Sequence, residues 1–231
     1  MARLYLFAEG QTEQTFATNV LRPHLWEFGV YLQAAILVAH GKKKGVVHRG
    51  GGRRYSPMKN DILRFTAQER AADVFFTTMI DLYAIATEFP GWDEAEKLRR
   101  SPEKRVEALE QAFADDIDDP RFVPYIQLHE YEAYLFSDPE KFSFFYSQQA
   151  TAIAALKAIV EKETTPELIN DGTHTAPSKR IIAVLPDYEG AKTVVGPKVA
   201  ELIGLDVIRG KCPHFAAWLS RLEQLARDRT P

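Results

Sequence analysis

An α/β fold, with a mainly parallel sheet of about four strands followed by a helical C-terminal region, is the architecture this sequence predicts. Three observations carry it. Four short apolar runs, RLYLF, YLQAAILVA, DVFFTTMID and FVPYIQL, alternate with helix-like segments through the first 137 residues, which is the order of a parallel sheet with right-handed crossovers. The run DVFFTTMID is apolar almost throughout, as a central strand covered on both faces would be. After Ser137 no further strand-like run occurs, and segments punctuated by Pro and Gly take over. The chain therefore divides into an α/β core over residues 1–137 and a helical region over residues 138–231 packed on it.

Each element has a local reason. RLYLF is short and closed by Gly10, the pattern of a buried strand. Thr12 is placed to cap the helix that follows, whose Phe16 and Val20 share a face, and Pro23 is expected to end or kink it near Arg22. YLQAAILVA (residues 31–39) is the second strand, and residues 40–54 read as a loop. Ser56 and Pro57 form a cap and first-turn pair for a helix to about Arg70. Residues 73–81 form the third strand, residues 91–119 an acidic helical stretch whose second helix opens at Ser101–Pro102, and FVPYIQL the fourth strand, running into HEYEAYLF. Beyond it, ATAIAALKAIVEKE, PSKRIIAVL, GPKVAELIGL and CPHFAAWLSRLEQL read as helices.

Composition removes several classes of function. The 231 residues are 45% apolar and 26% charged, enough for one sizeable core, and the net charge of −3 offers no bulk basicity. A single cysteine, Cys212, rules out an internal disulfide framework. No apolar run approaches the ~20 residues of a membrane helix. The first strand begins at Arg3, so a cytoplasmic protein is expected.

The chemistry is concentrated where strands end. In open parallel sheets, ligands bind outside the carboxyl ends of the strands. Glu9 follows the first strand, Asp81 closes the third, and Glu130 and Glu132 follow the fourth; Glu13 joins Glu9 across one helical turn. If the strands are neighbours, these carboxylates converge and repel unless a cation lies among them. Hard oxygen donors with no histidine or thiolate cluster point to Mg²⁺ or Mn²⁺, the ions that neutralise phosphoryl charge and activate water. Taken singly, each residue also has a plain structural use: Glu9 before Gly10 as a turn, Asp81 as a cap, Glu130 and Glu132 as acids at a helix start. On a strand Glu130 and Glu132 would share a face and on a helix they would diverge, so one of them at most is expected to bind metal.

The segment from His40 to Arg54 carries six Lys or Arg and no acid, on the rim where the carboxylates lie. It reads either as a solvated loop or as a nucleic-acid contact, with Lys42, Lys43, Lys44, Arg49, Arg53 and Arg54 guiding the backbone and Tyr55 available to stack on a base. Lys179 and Arg180, after Ser178, are further candidate phosphate contacts. Cys212 and His214 are too few for a zinc site and lack the third group of a nucleophilic triad, so CPHFAAWLSRLE is expected to pack through Phe215, Trp218, Leu219 and Leu222.

Together, EGQTE after the first strand and the Asp ending TTMID resemble the Toprim fold of topoisomerases, bacterial primases and the overcoming-lysogenization-defect (OLD) nucleases, and are most similar to the OLD branch. EGQTE, IDLYAIATEFPGW, HEYEAYLFSDP, APSKRI and CPHFAAWLSRLE together resemble a bacterial Toprim-like family of unknown function, over nearly the whole chain. The resemblance implies metal-dependent phosphodiester chemistry, frequent pairing with ABC- or SMC-type ATPases and a phage-defence setting. Carried over by residue, Glu9 and Asp81 would be catalytic, and Glu9, Glu13, Asp81 and Glu130 would hold the metal. One departure stands out: Tyr83 occupies the position of the second aspartate in the Toprim D-x-D signature, and a neutral phenol does not replace a carboxylate ligand. Glu130 or Glu88 is then left to fill that place, or a single metal suffices, or catalysis is weakened or lost. The expectation is a Mg²⁺-dependent nuclease acting on nucleic acid, DNA ahead of RNA. The alternatives are a non-cutting subunit that binds nucleic acid or docks a partner ATPase, and a small-molecule phosphohydrolase.

Overall fold

The computed structural model describes residues 1–43, 46–49, 54–169 and 175–227. In chain order, β1 (Ala2–Ala8) leads into α1 (Gln11–Phe16), a π-helical turn (Ala17–Leu21) and α2 (Arg22–Glu27). Next come β2 (Val30–Leu37), β3 (Ala39–Lys43), β4 (Val46–Arg49), α3 (Tyr55–Gln68) and β5 (Val74–Asp81). Then follow α4 (Trp92–Lys97), α5 (Pro102–Ile117), β6 (Phe122–Val123) and β7 (Ile126–Gln127). The C-terminal part holds α6 (Ala150–Val160), α7 (Pro177–Val184), α8 (Tyr188–Ile203), α9 (Leu205–Lys211) and α10 (Pro213–Gln224).

The sheet order is β2-β1-β5-β6, with β7 also paired to β5, and every pairing in it is parallel. The expected α/β fold is therefore present, with β1 and β5 at its centre. The chain steps from β1 to β2 on one side and then crosses back over β1 to reach β5 on the other. Those two crossovers put helices on opposite faces. On β1, Leu4, Leu6 and Ala8 enter a core formed with α1, α2 and the C-terminal helices, while Phe7 enters a second core formed with α3 and α5. The period-two alternation of an otherwise continuous apolar run thus serves two layers.

β1 and β2 slip register between Leu4 and Tyr5, leaving Gln33 as a bulge. Val30 and Leu32 before it, and Ala35 and Leu37 after it, then face the same core; without the extra residue the alternation would have turned the second half over.

Several local expectations are corrected. The cap of α1 is Gly10, not Thr12, because the Glu13 carboxylate reaches back to the Gly10 N–H. Pro23 does not end the helix; α2 continues beyond it after the π turn. Arg54, not Ser56, precedes α3, whose Tyr55 N–H is taken by Glu88 at 3.1 Å. The segment 40–54, expected as a loop, contributes most of the antiparallel pair β3–β4. The fourth strand is split into two two-residue pieces with Pro124 between them, since Pro cannot donate to the ladder. HEYEAYLF forms 3₁₀ turns over Tyr131–Ser137, and GPKVAELIGL is the second half of one helix, α8, with Pro197 inside it.

The C-terminal helices are tied to the sheet by α10. Trp218 is buried, its indole N–H donates to Thr77 Oγ1 at 2.9 Å, and its ring stacks on Tyr125 with centroids 4.2 Å apart. Phe215, Leu219 and Leu222 are buried beside it, as their spacing predicts. Two buried oxygens of Glu167 accept the N–H groups of His214 and Phe215, capping α10 from a distant segment. No helix among the described residues is long and apolar enough to cross a membrane. Trp218→Ala is expected to destabilise the chain by about 3–5 kcal/mol in urea unfolding, chiefly through lost packing, since the Thr77 hydroxyl keeps its bond to Val123 O; Trp218→Phe should cost clearly less.

Candidate metal centre

Ladder geometry builds the site. Pairing of β1 with β5 runs past Ala8, where Glu9 N–H donates to Met79 O at 3.0 Å. Glu9 therefore emerges beside Asp81, whose backbone N–H donates to Glu9 Oε2 at 2.8 Å. Asp81 pairs in register with Gln127, so the chain after β7 leaves from the same edge. His129 adopts a left-handed φ of 65° there and its carbonyl accepts from Tyr83 N–H at 2.9 Å. That turn presents Glu130 and Glu132 to the rim.

A cavity of about 410 Å³ results, lined by Glu9, Gly10, Gln11, Thr12, Glu13, Asp81, Glu130, Glu132, Lys192 and Thr193. Four of its five carboxylates are held in the same way. One oxygen accepts a backbone N–H: Glu9 from Asp81, Glu13 Oε2 from Gly10 at 2.8 Å, Asp81 Oδ1 from Tyr131 at 3.0 Å and Glu130 Oε2 from Ser178 at 2.9 Å. Glu132 instead takes the Tyr188 hydroxyl at 3.4 Å and faces Lys192 Nζ at 3.6 Å. All five side chains line the cavity. Gly10 is required by close approach: a Cβ there would lie 2.9 Å from Glu13 Oε2.

Five carboxylates face one lysine, and their proton affinities reflect it. Burial, then the charge of Glu13, pushes Glu9 up to about 8 against the opposing Asp81 N–H. Burial, then Glu132, pushes Glu13 up to about 7. Burial followed by Glu9 and Glu13 holds Asp81 well above the usual carboxylate range, and burial raises Glu132 while Lys192 pulls it back. The donor set fits a hard divalent cation: oxygen only, anionic, and pre-oriented by main-chain amides. Among the described residues no group of three or more His, Cys, Asp or Glu side chains is already assembled to hold a metal ion. The cup is thus a set of donors around a cavity, not a closed coordination sphere.

Of the residues singled out in the sequence, Glu9, Glu13, Asp81 and Glu130 meet here. Glu132 joins them on the rim, because the turn at His129 makes the segment neither strand nor α-helix and both acids line the cavity. Glu88 does not line the cavity; it caps α3. Tyr83 is 39% exposed and outside the lining. Lys42, Lys43 and Arg49 lie on β3 and β4, Arg54 is exposed before α3, and Lys44 and Arg53 fall outside the described residues. Lys179 is exposed on α7 and Arg180 Nε donates to Thr175 O at 2.7 Å; neither lines the cup. Tyr55 is no base platform, being buried with its hydroxyl on Asp116. Cys212 is buried beside Ser137, and His214 binds Glu110. Lys192 and Thr193 were missed: α8 docks on α1, and nothing near Lys192 in sequence signals that contact.

A family model described as a domain of unknown function, DUF4276, matches residues 8–223. The chain belongs to the DUF4276 family. Its match spans the whole carboxylate cup together with the C-terminal helices that complete it. No curated relative matches this DUF4276 chain. The C-terminal region of the OLD protein of Xanthomonas campestris pv. campestris, in structures phased with mercury and with iodine, is similar at 13% and 14% identity. The TM-scores are 0.44 and 0.43, covering 100% and 99% of this chain and 99% and 98% of that one. Likeness at that level assigns no role to any residue.

Because Glu9 and Glu13 bind protons more tightly when folded than when unfolded, the native state carries the extra protons between about pH 4.5 and 8. Stability contributed by these groups is therefore present in acid and is lost as pH rises through about 7 to 8. The metal-free chain should melt higher at pH 6 than at pH 8.5. Glu9→Gln should flatten that slope and stabilise the chain at pH 8.5 by on the order of 1 kcal/mol. Thermal melts in EDTA across this range check it, and a slope unchanged in Glu9→Gln would contradict the cup's electrostatics.

Proposed function

We propose that this DUF4276 chain is a Mg²⁺- or Mn²⁺-dependent Toprim-like nuclease that hydrolyses phosphodiesters of nucleic acid, DNA ahead of RNA. The observation that carries the reading is the cup itself, in which four carboxylates near strand ends are each oriented by a main-chain N–H and line one cavity. Glu9, Glu13, Asp81 and Glu130 would hold the cation, which would neutralise phosphoryl charge and lower the pKa of bound water. Glu9, with its proton held up to about 8, is suited to passing a proton between the attacking water and the departing oxygen. Lys192, the cation of the cavity lining, is placed to attract the phosphate and to balance charge that develops on it. Glu130, which lines the cavity where Tyr83 does not, would supply the further acid that the D-x-D signature takes from its second aspartate. A cytoplasmic setting, an ABC- or SMC-type ATPase partner and a role in phage defence are part of the same proposal, through the Toprim and OLD resemblance.

A second reading is a Toprim-derived subunit that binds nucleic acid or an ATPase without cutting. Tyr83, and the absence of an assembled three-residue metal cluster among the described residues, favour it. Hydrolysis of single- and double-stranded DNA and RNA with Mg²⁺ or Mn²⁺ decides between them. Glu9→Gln and Asp81→Asn are each expected to lower the rate by about 10²-fold or more, and Lys192→Met by less. Residual cutting equal in wild type and both variants would end the nuclease proposal. Salt-sensitive binding with no divalent uptake by calorimetry would establish the second reading.

A further inference from the structure

Farther along the helical segment that begins with α1, beyond the residues that line the cup, lies a second cleft of about 350 Å³. Thr15, Asn19 and Arg22 line it from the helical side, and Gln33, Ala34 and Ala35 from β2; no carboxylate does. Two backbone irregularities shape it. The π turn widens the helix between Ala17 and Leu21, and the bulge at Gln33 turns that side chain and the small Ala35 toward it. Gln14 Nε2 donates to Ala35 O at 2.7 Å and holds helix and strand apart at that width. Both kinds of irregularity concentrate at functional sites.

The cleft contains an unmet donor. Arg22 Nε is buried and has no hydrogen-bond partner among the described residues. A buried guanidinium N–H without an acceptor is costly, and a planar fork of donors in an acid-free cleft is complementary to a phosphate or carboxylate. One helical turn beyond Arg22, Trp26 is 55% exposed and meets the half-exposed Tyr31 at 5.7 Å between ring centroids, edge to face. A cationic donor beside exposed aromatic rings is the composition that holds single-stranded nucleic acid, phosphate on the cation and bases on the rings. A partner's carboxylate would use Arg22 but would leave the aromatic pair without a role.

We propose that this cleft is a phosphate-binding subsite for a single nucleic-acid strand, with Arg22 gripping one phosphodiester and Trp26 and Tyr31 receiving the adjacent bases. The subsite stands apart from cleavage, since it needs neither the carboxylate cup nor a divalent cation.

The test is binding of a fluorescein-labelled oligothymidylate to the full chain in EDTA, followed by anisotropy over a range of salt and by tryptophan fluorescence. Arg22→Gln should weaken binding roughly fivefold or more and reduce the magnitude of the salt slope by about 0.7. Asn19→Asp, a surface change that leaves the core untouched, should weaken it similarly by placing an anion in the cleft. Trp26→Phe should abolish the fluorescence quench on binding, and Trp26→Ala should weaken binding about fivefold or more. Glu9→Gln should bind as wild type does, so that failure of the nuclease reading and failure of this one are told apart. Equal affinity and salt slope in wild type, Arg22→Gln and Asn19→Asp overturns the proposal. So does stabilisation by inorganic phosphate or a mononucleotide with no oligonucleotide binding, or preference for a duplex of the same length.

Discussion

The Asp81 backbone N–H reaches the Glu9 carboxylate at 2.8 Å across the seam between the two central strands, and the arrangement of the rim follows from that contact. It ties the end of β1 to the end of β5 at the place where the strand order reverses, which is where an open parallel sheet leaves a crevice. The same motif is then repeated outward. Asp81 accepts from Tyr131, Glu130 from Ser178, and Glu13 from Gly10. Each carboxylate is oriented by a main-chain donor from a different segment, so the cup is made rigid by the fold and not by pairing with counter-ions. That distinguishes it from an ordinary buried ion network, in which arginines and lysines would neutralise the acids.

Such a site works against the stability of the chain that carries it. Desolvation and mutual repulsion raise Glu9, Glu13 and Asp81 together, and Lys192 offsets only part of this from its place opposite Glu132. The compensation comes from the layers around the cup. β1 divides its apolar side chains between two cores, and α10 anchors the C-terminal helices to β5 through Trp218 and Thr77. Residues more than a hundred positions beyond EGQTE are thereby part of the site. α7 supplies the N–H that orients Glu130, and α8 brings Lys192 to the cavity.

The cleft beside Arg22 and the cup share α1 as a wall, and both draw on the irregular backbone of the first βαβ unit. A π turn and a β-bulge in one short stretch are local departures from regular geometry. Each opens space that a regular helix packed on a regular strand would have filled.

The sequence by itself determined the fold class and the principal acids. Alternating apolar runs and helical periods depend only on near neighbours, and Glu9, Glu13, Asp81 and Glu130 are marked by their place at the ends of such runs. It also determined that α10 packs through Phe215, Trp218, Leu219 and Leu222. Only the tertiary structure decided that Glu132 reaches the same cavity, through a left-handed turn at His129 that no periodicity encodes. It likewise decided that Gly10 caps α1, that Tyr55 is buried against Asp116, and that an antiparallel strand pair lies in the basic segment. Lys192 and Arg22 belong to this second group. Their meaning depends on what a helix docks against and on which buried donor is left without a partner, and those are properties of long-range packing.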